Sequence, residues 1–155
     1  MGGRSRHVAA HGIVDVLFRH LRMHSFFHLL VLDPKVRKVR LGIAIALYLA
    51  IVIIGSIPGE RHAIGEYATG VVLHSIAYSG LAALWFTGST GDGAQRALKA
   101  VAVIALMGAC DEGIQSFFPY RGAAVSDWLV DCVAAVVAAT ILWAVLPKQS
   151  LLPRQ

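Results

Sequence analysis

The chain has 155 residues, 57% hydrophobic and 15% charged, with a mean hydropathy of +0.66 and a formal net charge of +5. Average soluble domains are about 25% charged, so this composition argues against an ordinary water-soluble enzyme, a coiled coil or a disordered chain, and leaves a small integral membrane protein. The positive charge is no nucleic-acid signal, because the basic residues flank apolar runs instead of sharing a soluble surface with aromatics.

From Gly12 to Leu32 the pattern predicts a helix lying in the membrane interface. At about 100° per residue, Asp15, Arg19 and Arg22 fall on one narrow arc while Ile13, Val14, Val16, Leu17 and Leu21 fill the opposite side. That is the pattern of an amphipathic anchor. Asp33 and Pro34 end it, and the basic run from Lys35 to Arg40 sits where anionic headgroups lie. His20, His24 and His28 recur every four residues on the apolar side. Histidines so spaced can hold a metal or a tetrapyrrole, but no acidic residue or cysteine completes a site. They are therefore read as rings at the headgroup boundary or against a partner subunit, and as candidate partner contacts.

Crossing the hydrocarbon core takes about 20 mostly apolar residues. Four windows come close to that length: Leu41 to about Ile57, about Tyr67 to Gly88, about Ala97 to Phe118, and Ser126 to Leu146. Pro58 with Gly59, Gly88 to Gly93, Pro119 and Pro147 punctuate them. Short connections make consecutive helices antiparallel neighbours. The predicted architecture is thus all-α: a four-transmembrane-helix bundle over 41–146, an amphipathic interfacial N-terminal helix within 1–40, and a C-terminal tail over 147–155.

Twelve of the fourteen basic residues fall on one side of this arrangement: Arg4, Arg6, Arg19, Arg22, Lys35, Arg37, Lys38, Arg40, Arg96, Lys99, Lys148 and Arg154. Only Arg61 and Arg121 fall on the other. The positive-inside rule then expects both termini in the cytoplasm and the loops after the first and third spans outside. No cleavable signal peptide is expected.

An ionisable side chain in a span faces a cavity or a partner, because lipid exposure costs about 2.5 to 3.5 kcal/mol. His74 and Tyr78 are four apart on the second span, Asp111, Glu112 and Gln115 occupy the last turns of the third, and Asp127 and Asp131 are four apart on the fourth. The topology brings all of them to the outer half of the bundle, beneath the loop that carries Arg121, with Ser126 at its edge. Two accounts fit such a pocket. In one, Arg121 neutralises carboxylates, Gln115 and Tyr78 satisfy the rest, and the network braces the helices. In the other, the residues bind a polar headgroup or activate water by general acid and base work. Cys110 and Cys132 lie in apolar stretches without metal or redox spacing and are read as small residues buried at helix contacts, with a disulfide between these neighbouring helix ends as the lesser alternative. No metal and no cofactor is assigned.

Four blocks carry a family resemblance: Ser56-Ile57-Pro58-Gly59; Leu73-His74-Ser75-Ile76-Ala77-Tyr78 followed by Leu81; Asp111-Glu112-Gly113-Ile114-Gln115-Ser116-Phe117-Phe118-Pro119-Tyr120-Arg121; and Ser126-Asp127-Trp128-Leu129-Val130-Asp131. Their order and spacing resemble the VanZ-like family of small bacterial membrane proteins over residues 41–146. The chain departs from that pattern at Gly70-Val71, where the family commonly has Asp-Lys, and at Asp131, where it commonly has Asn. The resemblance implies a bacterial inner-membrane location. It marks His74, Tyr78, Asp111, Glu112, Gln115, Arg121, Ser126 and Asp127 as pattern positions. The family's founding member is linked to low-level resistance to teicoplanin, which acts on cell-wall precursors outside the membrane.

Three functions are carried forward. The altered pattern positions and the extra segment 1–40 favour an accessory or structural subunit beside a larger membrane-protein complex, with membrane lipids as its other partner and no nucleic acid. The second is binding or modification of an outer-leaflet lipid or envelope precursor through the pocket. The third is a hydrolase of lipid phosphates, with Asp or Glu as base and Arg121 stabilising phosphate charge.

Overall fold

Each of the four apolar windows forms one helix: α1 (Arg37–Gly55), α2 (Gly70–Gly88), α3 (Gly93–Gln115) and α4 (Val125–Val145). The computed structural model describes residues 33–59 and 69–146. The helix expected over 12–32, with His20, His24 and His28, lies outside the described residues, as does the C-terminal tail. The chain divides into two units, 1–36 and 37–155. In the first, the described residues form one 3-10 turn, Pro34–Val36, in which Asp33 Oδ1 accepts the Lys35 N–H at 2.8 Å.

In the second unit, local chemistry sets the helix ends. α1 starts four residues before its apolar window, because Arg37, Lys38 and Arg40 are good helix formers. Thr69 caps α2, its Oγ1 accepting the Val72 N–H at 3.4 Å. α3 also starts four residues early, on a reciprocal capping box: Asp92 Oδ1 accepts the Gln95 N–H at 2.8 Å, and Gln95 Oε1 accepts the Asp92 N–H at 3.2 Å. Gly91 precedes it with φ +114°, and a Cβ there would stand 2.4 Å from Gln95 Oε1, so the turn requires glycine. Past Gln115 the bonds tighten to Phe117 N–H on Ile114 O and Phe118 N–H on Gln115 O, and Pro119 ends the run.

The helices form an all-α bundle, with no strand among the described residues. Three of them, α1, α2 and α4, are long and apolar enough to cross a membrane. The charges of α3 are confined to its ends, Arg96 and Lys99 in the first turns and Asp111 and Glu112 in the last, leaving Ala100–Cys110 uncharged. α2 packs on α4, α4 on α3, and α1 mainly on α2. Small residues line the contacts: Ala44, Ala82, Ala100, Ala135 and Ala139 are buried around Leu81, Phe86 and Ile104. Large apolar residues point away from the bundle on every helix, among them Ile53, Ile76, Leu106 and Val133. Cys110, expected at a helix contact, is instead exposed, and both cysteines are free thiols.

One end of the bundle is basic. Arg40 donates through Nη2 to Thr87 O at 2.8 Å, and Arg96 donates through Nε to Phe86 O at 2.8 Å while its guanidinium sits 4.5 Å from the Phe86 ring centre. Both arginines thus satisfy carbonyls at the C-terminus of α2, where the helix leaves acceptors unpaired and its dipole is negative.

Candidate functional site

The opposite end holds Asp111, Glu112, Asp127 and Asp131. His74 and Tyr78 lie one turn apart on α2, with rings stacked 5.8 Å apart at 7°. From these adjacent turns α2 reaches two different helices. Tyr78 donates its hydroxyl to Asp111 Oδ2 on α3 at 3.0 Å, and His74 Nδ1 lies 2.9 Å from Asp131 Oδ1 on α4. Tyr78, Asp111 and Asp131 are all buried. Asp131 fits because α3 presents Gly108 to it: a Cβ there would stand 2.8 Å from Asp131 Oδ2 and 3.2 Å from Trp128 Cδ1. Trp128 seals the same contact by donating Nε1–H to Ala105 O at 2.9 Å.

Nearer the end of the bundle, Glu112 Oε2 accepts the Ala124 N–H at 2.7 Å, so α3 fixes the entry to α4 where that helix has no side-chain cap of its own. Its other oxygen, Oε1, is shielded from solvent without a hydrogen-bond partner among the described residues. Ser126, at the exposed edge, donates Oγ–H to Asp127 Oδ1 at 3.4 Å. His74, Glu112 and Asp127, one from each of α2, α3 and α4, each place a metal-ligand type of atom within 4.8 Å of the others.

Between α1, α2 and α3 lies a cavity of about 250 Å³. Ile51, Ile54 and Gly55 of α1 make one side, and Gly70, Leu73, His74, Ala77 and Tyr78 of α2 make another with Asp111, Gln115 and Arg121. Arg121 lies beside α1: a Cβ on Gly55 would stand 3.2 Å from its Nη2. Its Nε is shielded and has no hydrogen-bond partner among the described residues. The neighbouring Tyr120 ties the same loop to α1, donating to Ser56 O at 2.7 Å.

All nine pocket residues expected from the sequence therefore collect at one end, in three roles. Tyr78, Asp111, His74 and Asp131 form interhelical bonds, Gln115 and Arg121 border the cavity, and Glu112, Asp127 and Ser126 sit at the start of α4. Sequence reasoning missed the Ala124 amide, a backbone donor without a side-chain signature, and the clearance at Gly55 and Gly108. Glycines inside apolar helices facing a polar block are the signal that marks such close approaches. Comparison of the chain with protein-family models, with curated proteins and with solved structures gives no match.

Proposed function

We propose that the chain is a VanZ-like, four-span protein of the bacterial inner membrane, with both termini in the cytoplasm. Its cavity binds the polar, phosphate-bearing headgroup of an outer-leaflet lipid or lipid-linked envelope precursor. The observation that carries this reading is a cavity with mostly apolar walls bordered by a cluster of polar groups. Ile51, Ile54, Leu73 and Ala77 give it apolar walls, and Arg121 borders it with a guanidinium whose shielded Nε has no hydrogen-bond partner among the described residues. An amphiphile has the matching division, and Arg is the side chain best suited to phosphate oxygens.

Charge sorting supports the orientation, since Arg37, Lys38, Arg40, Arg96 and Lys99 lie at one end of the bundle and Asp111, Glu112, Asp127 and Asp131 at the other. The uncharged middle of α3 supports the fourth span, its buried Asp111 and Glu112 facing protein. Native mass spectrometry of the protein released from nanodiscs tests the binding. Retention of a phosphate-bearing lipid should drop at least about tenfold in Arg121→Ala, in keeping with loss of a charge-assisted bond. Equal retention by wild type and Arg121→Ala would sink the reading.

A second reading, an accessory subunit of a larger membrane complex, draws on α1. That helix is held mainly by α2 and leaves Ile43, Leu47 and Ile53 uncovered, a face a neighbouring helix could occupy. Co-purification of a stoichiometric partner in mild detergent is the expected result, and a protein that runs alone removes it.

A further inference from the structure

We propose that His74, Glu112 and Asp127 form a site for a divalent first-row transition cation, Zn²⁺ or Mn²⁺ in class, beside the headgroup cavity. The ion binding stands on its own geometry. Its part in holding a headgroup rests on the function proposed above.

The donors come from three helices and include one imidazole and two carboxylates. Ligand bonds of about 2.0 to 2.2 Å put donors that share one ion about 3 to 4 Å apart. A group within 4.8 Å closes onto an ion by small side-chain rotations. Two carboxylates balance a dication, and mixed nitrogen and oxygen donors without thiolate suit Zn²⁺ or Mn²⁺.

Glu112 supplies an independent observation. Its side chain is only 9% exposed, the Ala124 N–H holds Oε2 at 2.7 Å, and Oε1 is shielded without a partner. A buried carboxylate oxygen left unpaired is costly. A cation among His74, Glu112 and Asp127 removes that cost.

Asp131 holds the ring of His74 in place. Its Nδ1 faces Asp131 Oδ1 at 2.9 Å, and Asp131 is 0% exposed. A carboxylate on Nδ1 keeps the proton there, fixes the ring and leaves Nε2 as the ligand nitrogen, the arrangement that second-sphere carboxylates impose on metal-bound histidines. Asp131 is thus a positioning residue. Three protein ligands leave coordination positions open. His74 also borders the cavity, with Arg121 on the cavity wall. His74 is the one donor shared with the cavity lining, so a phosphate oxygen would reach the ion past His74 while the Arg121 guanidinium holds another, which reconciles an anionic ligand with four nearby carboxylates.

The full-length protein, stripped with chelator in detergent, is titrated with Zn²⁺ and with Mn²⁺ by calorimetry, and the bound metal is counted after desalting. One ion per chain is expected. Affinity should fall at least about a hundredfold in Glu112→Gln and Asp127→Asn, and about ten- to a hundredfold in Asp131→Asn, with Lys99→Ala, at the basic end of the bundle, unchanged. Gel filtration and thermal unfolding identify variants that remain folded. Should a ligand variant fail to fold, Mn²⁺ electron paramagnetic resonance on the wild type, reporting nitrogen coordination or its absence, decides the case. Failure of folded wild type to bind either ion saturably overturns the site, as does binding indifferent to both carboxamide variants. Lipid retention with and without chelator forms a separate arm: retention that ignores chelator refutes the ion's role in headgroup binding. Loss of lipid binding in Arg121→Ala with metal binding intact supports the ion site and the two-point contact. Metal binding without any lipid retention refutes the headgroup function alone.

Discussion

Tyr78 donates its hydroxyl to Asp111 at 3.0 Å, and the two are 1% and 3% exposed, so α2 and α3 are joined by a hydrogen bond sealed from solvent. Removing the donor strands a buried acceptor. Tyr78→Phe should therefore destabilise the bundle by about 1 to 2 kcal/mol, toward the upper end for interhelical bonds in membranes because the acceptor is a carboxylate. Asp111→Asn keeps an acceptor and should cost less. Denaturant unfolding in detergent checks the order of the two variants, and the reverse order would refute the bond's role.

Gly108 and Gly113 sit on the same helix but in opposite surroundings. A methyl on Gly108 meets Asp131 Oδ2 at 2.8 Å and Trp128 Cδ1 at 3.2 Å, whereas a methyl on Gly113 meets nothing within 4 Å. Gly108→Ala should cost about 1 to 3 kcal/mol as α3 and α4 are pushed apart. Gly113→Ala should be neutral or stabilising by up to about 1 kcal/mol, as expected for Ala in a helix. Paired thermal melts distinguish them, and an equal shift in both would show that the close approach at Gly108 carries no weight.

These contrasts mark how far the sequence was legible. Helix positions could be read because Pro58, Gly88–Gly93 and Pro119 interrupt long apolar runs, and face-sharing pairs such as His74 with Tyr78 follow from a four-residue spacing. Partnership across helices could not. Asp127 and Asp131 look alike in sequence, yet Asp131 is fully buried against Gly108 and bonded to His74, while Asp127 lies a turn nearer the end beside Glu112. What separates them is depth and the gap left by a glycine on another helix. Of the two roles the sequence leaves open for Arg121, neutralising carboxylates or binding a headgroup, neither shows its place beside Gly55, where the Tyr120 hydroxyl also bonds Ser56 O. The three-residue donor set was invisible because each member comes from a different helix and no local motif joins them.

At the basic end, Arg96 makes two contacts that only a planar guanidinium can combine, a hydrogen bond to Phe86 O and a stack over the Phe86 ring. Arg96→Lys keeps the charge near the C-terminus of α2 but loses the fork and the stack. It should retain part of the stability that Arg96→Met loses, with the full loss about 1 to 3 kcal/mol. Equal melting temperatures for the Lys and Met variants would mean that charge at this helix end contributes nothing.

Whether α3 crosses the membrane decides between four spans and three, and it has a geometric signature. A spanning α3 places its flanking loops, 88–92 and 116–124, on opposite sides; an α3 confined to one leaflet leaves both on the same side. Single cysteines at Thr90 and Gly122, in a background with Cys110→Ala and Cys132→Ala, report this directly. In intact cells a membrane-impermeant maleimide should label Gly122→Cys and spare Thr90→Cys until the membrane is opened, because Lys99 and Arg96 hold the first loop inside. Gly122 suits the purpose because a side chain there meets nothing within 4 Å. Labelling of both cysteines in intact cells would overturn the fourth span, and with it the placement of Arg121 and the acidic cluster beneath an outward-facing loop.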